Sequence, residues 1–372
     1  MLNYEHLSFW EKRTYTEEID TLIIGAGIVG MTCAFHEKQR HPHRKIVVLE
    51  RGYLPTGAST KNAGFACFGS PSELQDDFQH MPETQVWETL SMRYEGLQKL
   101  FEIVPKHFMS YSACGSWDLT KEPMEAGFIH YLNRQIERIT GISEVYSEDS
   151  AKIQSCNFHG FNFAYKNRSE GSIDTGQLME ALFRKCVEMG VHFLFGTEVT
   201  KLSFESTEKS VTTLHGILKP HQIALCTNAF AQQLLPLDVR PARAQVLVTS
   251  PINELPIDGT FHFDAGYYYF RNVGKRVLFG GGRNQALEEE FTISMEISSS
   301  LQNHLESLLR TNILPNQVFE VEYRWAGTLG LGPAKEPIVR QLAPGVVAGV
   351  RMGGMGIAIG ALVGEKLSKL LV

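Results

Sequence analysis

The chain has 372 residues, 43% hydrophobic and 20% charged, with a formal net charge of −6. This length and composition indicate a globular protein of two domains, or of one large domain with an inserted lobe. Without a dense lysine or arginine run, the chain is atypical of a nucleic-acid binder. The six cysteines are scattered without a C-x-x-C pair, which favours reduced thiols in a cytoplasmic protein over a disulfide framework or a metal site. The first twenty residues are rich in acids and lack an apolar stretch, so we expect no signal peptide.

A glycine motif of the form G-x-G-x-x-G follows the first predicted strand. Gly25 permits a tight turn out of the strand, Gly27 lets the backbone approach a pyrophosphate, and Gly30 brings the next helix close to the strand. The N-terminus of that helix offers free N–H groups to phosphate. A second strand ends at Glu50, whose carboxylate can accept hydrogen bonds from ribose hydroxyls. The motif predicts a dinucleotide site, and the alternative is a glycine-rich turn without a ligand. The motif alone does not distinguish NAD from FAD.

A segment of small and polar residues, 51–69, comes directly after this second strand. It has neither helical nor strand periodicity, so we predict a loop whose backbone lies against a large flat ligand. Ser59 and Thr60 can bind phosphate, and residues 62–64 would place bare backbone beside a ring system. A loop in solvent is the alternative, but the apolar residues after Gly64 favour a loop that turns inward.

A long helix and a group of strands occupy the middle of the chain. Apolar residues recur every three or four positions from Trp87 to Val104, as on one face of a helix. Three β-rich runs come later, at residues 245–250, 267–271 and 276–282, with a hairpin turn between the last two.

The strand predicted at residues 267–271 carries an unusual face. Alternate residues of a strand point the same way, so Tyr267, Tyr269 and Arg271 share one face, opposite Tyr268 and Phe270. Aromatic walls with one guanidinium suit a carboxylate pocket. The alternative is an exposed strand face with a surface arginine.

The glycine-rich stretch at residues 345–364 is long enough to span a bilayer, but it contains seven glycines and Arg351. We therefore predict a strand, a glycine turn and a helix that begins near Met355 instead of a membrane anchor. Three glycines share one helix face, which can closely approach a bound ring or the sheet: Gly356, Gly360 and Gly364. A small-residue helix in a core without any ligand is the alternative.

The segments "GAGIVG", "LERG" and "GASTKNAG", together with "YYYFR", "RWAG" and the C-terminal glycine stretch, resemble the D-amino-acid-oxidase-type FAD-dependent oxidoreductases. That family includes glycine, sarcosine and γ-glutamylputrescine oxidases. The resemblance implies FAD instead of NAD, with the C-terminal glycine segment capping the flavin ring. The cofactor-binding residues that we predict on this basis are Gly25, Gly27, Ile28, Gly30, Glu50, Arg51, Ala58, Ser59, Thr60, Asn62, Ala63, Gly64, Val199, Thr227, Asn228, Gly353, Gly354, Met355, Gly356 and Ile357.

The implied fold is of the α/β class (α+β overall): a Rossmann-like FAD-binding domain with an inserted substrate domain of antiparallel sheet and helices. We assign residues 1–80, 149–233 and 323–372 to the FAD-binding domain, and residues 81–148 and 234–322 to the substrate domain. Some relatives attach FAD to a cysteine near the end of the chain. No cysteine follows Cys226, so we predict non-covalent FAD.

The implied reaction is oxidation of the C–N bond of an amino acid or amine, with O2 or another acceptor taking the electrons. The predicted catalytic residues are Tyr269, Arg271 and Lys61, although Lys61 fits a solvent-exposed loop lysine equally well. Many relatives that act on free amino acids have an arginine soon after the Trp-Ala-Gly turn, where this chain has Thr328 and Leu329. A larger amine or an N-substituted amino acid is therefore as plausible as a small free amino acid. A 2-hydroxy-acid dehydrogenase and a non-oxidase flavoprotein are the alternatives.

Overall fold

The computed structural model describes residues 3–204 and 208–371. The strands, in chain order, are Thr21–Ile24 (β1), Ile46–Leu49 (β2), Phe65–Ala66 (β3), Ser116–Thr120 (β4), Tyr146–Glu148 (β5), Phe163–Asn167 (β6), Gly171–Ser172 (β7), His192–Leu194 (β8), Val199–Ser203 (β9), Ser210–Thr213 (β10), Gly216–Leu218 (β11), Gln222–Leu225 (β12), Arg240–Thr249 (β13), Thr260–Phe263 (β14), Tyr268–Val273 (β15), Arg276–Gly281 (β16), Val321–Leu331 (β17), Ile338–Ala343 (β18) and Val346–Val350 (β19). The α-helices are Phe9–Glu11 (α1), Ile28–Arg40 (α2), Ala58–Lys61 (α3), Pro71–His80 (α4), Glu83–Ile103 (α5), Ala126–Thr140 (α6), Ala151–Cys156 (α7), Thr175–Glu188 (α8), Leu287–Glu290 (α9), Ser299–Leu308 (α10) and Gly356–Leu370 (α11).

A six-stranded sheet in the order β18-β19-β12-β1-β2-β8 forms the centre of the cofactor domain. Its strands are parallel except for β18, which pairs antiparallel with β19 at the edge. Every residue of β1, β2, β12 and β19 is buried, because both faces of the sheet are covered. Helices α2, α8 and α11 pack on one face, and the three-stranded sheet β11-β10-β9 packs on the other. This arrangement confirms the Rossmann-like fold predicted from the sequence.

The C-terminal helix α11 packs against the fingerprint helix α2. A Cβ atom built on Gly360 would lie 2.7 Å from Ile28 Cγ2, and one built on Gly364 would lie 2.7 Å from the backbone nitrogen of Cys33. These two glycines therefore bring two helices together. The expectation that this whole face approaches the ring or the sheet was wrong for Gly360 and Gly364, because the partner is α2. Among the described residues, no helix combines the length and hydrophobicity needed to cross a bilayer.

An eight-stranded sheet forms the second layer of the molecule, in the order β17-β13-β16-β15-β14-β4-β6-β5. Its strands pair antiparallel except for β14 and β4. One face carries an aromatic core under α10, and the other faces the segment at residues 63–65 of the cofactor domain. Strands β6 and β17 belong to this sheet, although the sequence placed their residues wholly or mostly in the FAD-binding domain. The domain boundaries themselves stay a prediction.

One row of cross-strand neighbours runs over six strands of this sheet. Its members, in spatial order, are Asp118, His262, Tyr269, Gly280, Val246 and Trp325. Neighbours in such a row share one face of the sheet. Tyr269 and Trp325 pack with Ala63 and Phe65, so this face is the one that meets the cofactor domain. We call it the inner face.

Candidate cofactor and substrate site

A cavity opens at the carboxyl ends of β1, β2 and β12, the edge where ligands bind in open α/β sheets. Fourteen of the residues predicted to bind the cofactor line it: Gly25, Gly27, Ile28, Glu50, Arg51, Ala58, Ser59, Asn62, Val199, Thr227, Asn228, Gly354, Gly356 and Ile357. Six others lie outside the lining: Gly30, Thr60, Ala63, Gly64, Gly353 and Met355. Three of these have evident structural contacts instead. A Cβ on Gly30 would overlap the carbonyl oxygen of Gly25, the Thr60 hydroxyl donates to the carbonyl of Pro55 (2.8 Å), and Ala63 packs against the inner face.

The fingerprint turn is held by side chains from two other segments. Glu50 accepts hydrogen bonds from the backbone nitrogens of Ala26 (3.1 Å) and Gly52 (3.0 Å), and only 8% of its surface is exposed. The Ser59 hydroxyl accepts from the backbone nitrogen of Ile28 (3.0 Å), the first residue of α2. The positive end of the α2 dipole therefore faces the cavity together with a serine hydroxyl, a combination that suits a phosphate.

The segment at residues 51–69 is more ordered than its composition suggested. It contains α3 and β3 where the sequence predicted a loop without regular structure. Asn62 closes α3 by donating to the carbonyls of Ala58 (3.1 Å) and Ser59 (2.8 Å) and by accepting from the backbone nitrogen of Gly64 (2.8 Å). Side-chain bonding of this kind stabilises a short helix that propensity alone would not predict.

Asn228 organises the opposite end of the cavity. Its side-chain oxygen accepts from the backbone nitrogens of Arg351 (3.1 Å) and Met352 (3.2 Å), at the start of the glycine turn before α11. Asn228 and Arg351 both have positive φ angles, of 46° and 68°. The amide thus joins β12 to the C-terminal glycine turn.

Two hydroxyls in the lining are buried without a hydrogen-bond partner in the described part of the chain, Thr227 Oγ1 and Thr328 Oγ1. A buried hydroxyl left unpaired costs about 1–3 kcal/mol, so such groups normally meet a ligand or water. A dinucleotide carries hydroxyls, phosphates and ring heteroatoms that could pair with them. Together with the glycine turns, these residues fit FAD.

The inner face carries the residues predicted to contact the substrate. The Tyr269 ring lies next to Gly280, where an added Cβ would come within 2.6 Å of it, and 5.9 Å from the ring of Phe65. Burial raises the pKa of the Tyr269 phenol to about 12, against the opposing charge of Arg283, so the hydroxyl stays protonated at neutral pH. Tyr268 and Phe270 point into the opposite aromatic core, as the alternation predicted. Tyr267 precedes β15 and is exposed.

Arg271 is 8% exposed and has no acidic partner within 4.0 Å among the residues described. One terminal nitrogen donates to the carbonyl of Gly64 (3.3 Å), while the buried Nε has no partner. Burial lowers the pKa of this guanidinium, as expected for a cation held away from water. Asp174 attracts this charge only from beyond the distance of an ion pair, so the buried cation stays costly, and a bound carboxylate would relieve that cost.

Lys61 ends α3 beside the inner face. Its carbonyl accepts from the Trp325 indole nitrogen (3.0 Å), and its Cβ faces Gly327 closely enough that a side chain there would collide (2.8 Å). The backbone of Lys61 is thereby attached to β17. Lys61, Tyr269 and Arg271 do not line the cavity at the strand ends, and their catalytic roles stay predictions.

His262 was missed in the sequence and lies next to Tyr269 in the row. Its ring is 4.9 Å from that of Phe65, and its Nε2 is buried without a partner in the described structure. Burial lowers the pKa of the imidazole to about 4, opposed by Glu73, so the ring is neutral at physiological pH. One sequence pattern could have indicated it. His262 stands between Phe261 and Phe263, which both point into the aromatic core, so alternation directs His262 to the inner face.

Buried acids support the segment that follows the site. Glu170 accepts from the backbone nitrogens of Phe68 (2.7 Å) and Gly69 (3.1 Å) and from the Ser116 hydroxyl. Burial raises its pKa to about 7 despite these bonds. Burial would also raise the pKa of Glu73, but Arg93 (3.0 Å) and Lys335 (3.3 Å) hold it at about 2. No group of acids, histidines and cysteines in the described ranges is arranged to hold a metal ion.

The chain is similar to known proteins over nearly its whole length. The sequence model of the FAD dependent oxidoreductase family (DAO) matches residues 20–370. The chain is 22% identical over 382 residues to the probable oxidoreductase OrdL of Rhizobium meliloti, covering 95% of this chain and 83% of OrdL.

Solved structures share the fold over nearly the whole chain. L-proline dehydrogenase from P. horikoshii superposes with a TM-score of 0.77 at 18% identity, covering 96% of this chain and 94% of that one. Glycine oxidase from Bacillus cereus gives a TM-score of 0.75 at 16% identity, covering 95% and 94%. The match to the FAD dependent oxidoreductase family confirms the predicted cofactor, FAD. Since the family model spans almost all of the sequence, the protein belongs to the DAO family of FAD-dependent oxidoreductases.

Proposed function

We propose that the protein oxidises the C–N bond of an amine that carries a carboxylate, either an amino acid or an N-substituted amino acid. The observation that carries this proposal is the buried guanidinium of Arg271, which has no acid within 4.0 Å among the described residues and lies on the inner face with Tyr269. Glycine and proline, named by two of the structural neighbours, are both amines with a carboxylate on the adjacent carbon.

The residues that would hold FAD are those of the cavity lining. The N-terminus of α2 and Ser59 suit the phosphates, Glu50 suits the ribose, and the turn fixed by Asn228 suits the ring end. Bound there, FAD would supply the acceptor for a hydride from the carbon next to nitrogen, and water would hydrolyse the imine product.

Side chains of the inner face would bind and orient the substrate. Arg271 holds the carboxylate and so fixes which carbon faces the cofactor, an orienting effect that contributes strongly to rate. Phe65, Tyr269 and Trp325 surround the reacting carbon with apolar surface and limit the access of water. The protonated Tyr269 hydroxyl can donate one hydrogen bond to the substrate. Lys61 stays a prediction, either as a base or as an aid to reaction with O2.

The test is anaerobic reduction of the flavin by each compound. Reduction is measured as the loss of flavin absorbance near 450 nm. The panel contains D- and L-amino acids, N-methyl amino acids, polyamine derivatives and 2-hydroxy acids. We expect amines with a carboxylate to bleach the flavin, and the variant Arg271→Lys to raise their apparent Kd by about tenfold or more, because lysine cannot reproduce the planar guanidinium contact.

Arg276→Lys is the matched control. Arg276 begins the neighbouring strand β16, four residues before Gly280 of the row, and already pairs with Glu322 (2.5 Å). Bleaching by 2-hydroxy acids alone would favour the dehydrogenase alternative, and bleaching by no member of the panel would refute the proposal. Equal Kd values for wild type and Arg271→Lys would remove the role given to Arg271.

A further inference from the structure

A second guanidinium, that of Arg283, lies at the edge of the inner face. Arg283 opens a short helical turn, Arg283–Gln285, directly after β16. The two preceding glycines have left-handed φ angles of 117° and 73°, and the backbone nitrogen of Gly282 donates to the carbonyl of Tyr267 (3.0 Å). Residues with a side chain rarely adopt these φ angles, so the two glycines allow a turn that defines the backbone position of Arg283.

The Arg283 side chain is directed towards the tyrosines. Its guanidinium carbon lies over the Tyr267 ring, 5.5 Å from the centroid. Its positive charge also acts to lower the pKa of the Tyr269 phenol, although burial of the phenol has the larger effect and raises that pKa. The cation therefore acts on the same face as the proposed substrate contacts, on the opposite side of Tyr269 from Arg271.

The Arg283 side chain has no hydrogen bond and no acid within 4.0 Å among the described residues, although it is only partly exposed. Two arginines on the strands beside it, β13 and β16, are paired with acids. Arg243 donates to both oxygens of Glu290 (2.8 and 2.7 Å), and Arg276 contacts Glu322. The nearby acid Asp264 accepts a hydrogen bond from Asn284 instead (2.8 Å).

The backbone positions beside the two guanidinium groups suit a substrate with two anionic ends. Tyr267, under Arg283, and Arg271 are four residues apart along the strand direction, which corresponds to about 13 Å of extended backbone. Each guanidinium takes up part of that span when it contacts a carboxylate of the substrate. The rest of the span has room for a few bonded substrate atoms between the two carboxylates, with Tyr269 beside them.

We propose that Arg283 is a specificity-determining residue that binds a second carboxylate, so that the preferred substrates are amines with two carboxylates on either side of the reacting C–N bond or at the end of a short side chain. This inference rests on the proposed function and narrows its substrate class.

The test compares matched pairs of compounds that differ in one carboxylate: iminodiacetate with sarcosine, and glutamate with glutamine in both enantiomers. The apparent Kd of each is measured from the concentration dependence of anaerobic flavin reduction. We expect the wild type to prefer the dicarboxylate in at least one pair. Arg283→Gln should reduce that preference about tenfold or more, the range of one charged hydrogen bond, and Arg283→Lys should restore part of it.

Arg240→Gln is the matched control, because Arg240 is an exposed arginine over the ring of Phe291 (4.2 Å) without a tyrosine of the inner face beneath it. It should leave the preference unchanged. The flavin spectrum and the thermal midpoint of each variant exclude misfolding as the cause. Reduction by amines without any loss of preference in Arg283→Gln overturns this inference alone. Failure of every amine to reduce the flavin overturns the proposed function and this inference with it.

Discussion

The contact between α11 and α2 makes Gly364→Ala a sharp test of the packing. A Cβ there would overlap the Thr32 hydroxyl and lie 2.7 Å from the backbone nitrogen of Cys33. Thr32 cannot easily turn away, because its hydroxyl donates to the carbonyl of Ile28 (2.7 Å) and approaches that of Gly360 (3.2 Å). The two helices must therefore separate. Overpacking of this kind costs about 1–3 kcal/mol, against a gain of at most about 1 kcal/mol in helix propensity.

Subtracting that gain leaves a net loss of up to about 2 kcal/mol, which corresponds to a fall of up to about 3 °C in the thermal midpoint of a chain this long. The midpoint is measured by circular dichroism at one fixed FAD concentration. Gly127→Ala is the control, since Gly127 is exposed in α6 and its added Cβ would meet only the flexible Glu125 carboxylate, whose nearest atom is 3.4 Å away. That variant should be stabilised slightly. A Gly364→Ala protein as stable as Gly127→Ala would show that the helices do not meet as closely as described.

Three further predictions concern the buried acid, the glycine turn and the cofactor. The pKa of Glu170 is about 7 in the folded protein and near 4.5 in the unfolded chain, so the wild type binds a proton on folding and loses stability, on the order of 3 kcal/mol at most, as pH rises between these values. Glu170→Gln does not titrate, so its thermal midpoint should gain on that of the wild type from pH 5 to pH 8; parallel midpoints would contradict the assigned shift. Asn228→Gly tolerates the positive φ but loses the bonds to Arg351 and Met352, so we expect about tenfold weaker FAD binding by fluorescence titration, and unchanged affinity would remove its role in the turn. Acid precipitation should release all of the yellow flavin into the supernatant, whereas flavin retained in the pellet would show covalent attachment.

Several features of this protein follow from short stretches of its sequence. The run from Leu22 to Glu50 has strand, turn, helix and strand in its own periodicity, and the glycine spacing indicates a dinucleotide without reference to the rest of the chain. The resemblance to the oxidoreductase family extended this to FAD, and the family match confirmed it. Local patterns suffice here because the βαβ unit is built from neighbouring residues that pack on one another.

Other features depend on segments that are far apart in the chain. The row from Asp118 through His262 and Tyr269 to Trp325 arises only when six strands pair in one register, and no local pattern encodes that pairing. The packing of Gly364 against α2 likewise depends on the tertiary structure, because periodicity defines a helix face but not the element that covers it. Whether an arginine has a counter-ion is decided in the same way: Arg243 meets Glu290 from another segment, whereas Arg271 and Arg283 meet no acid in the described structure. Chain-local forces therefore determined the cofactor motif, and tertiary contacts between distant segments decided which charges and rings face the proposed substrate.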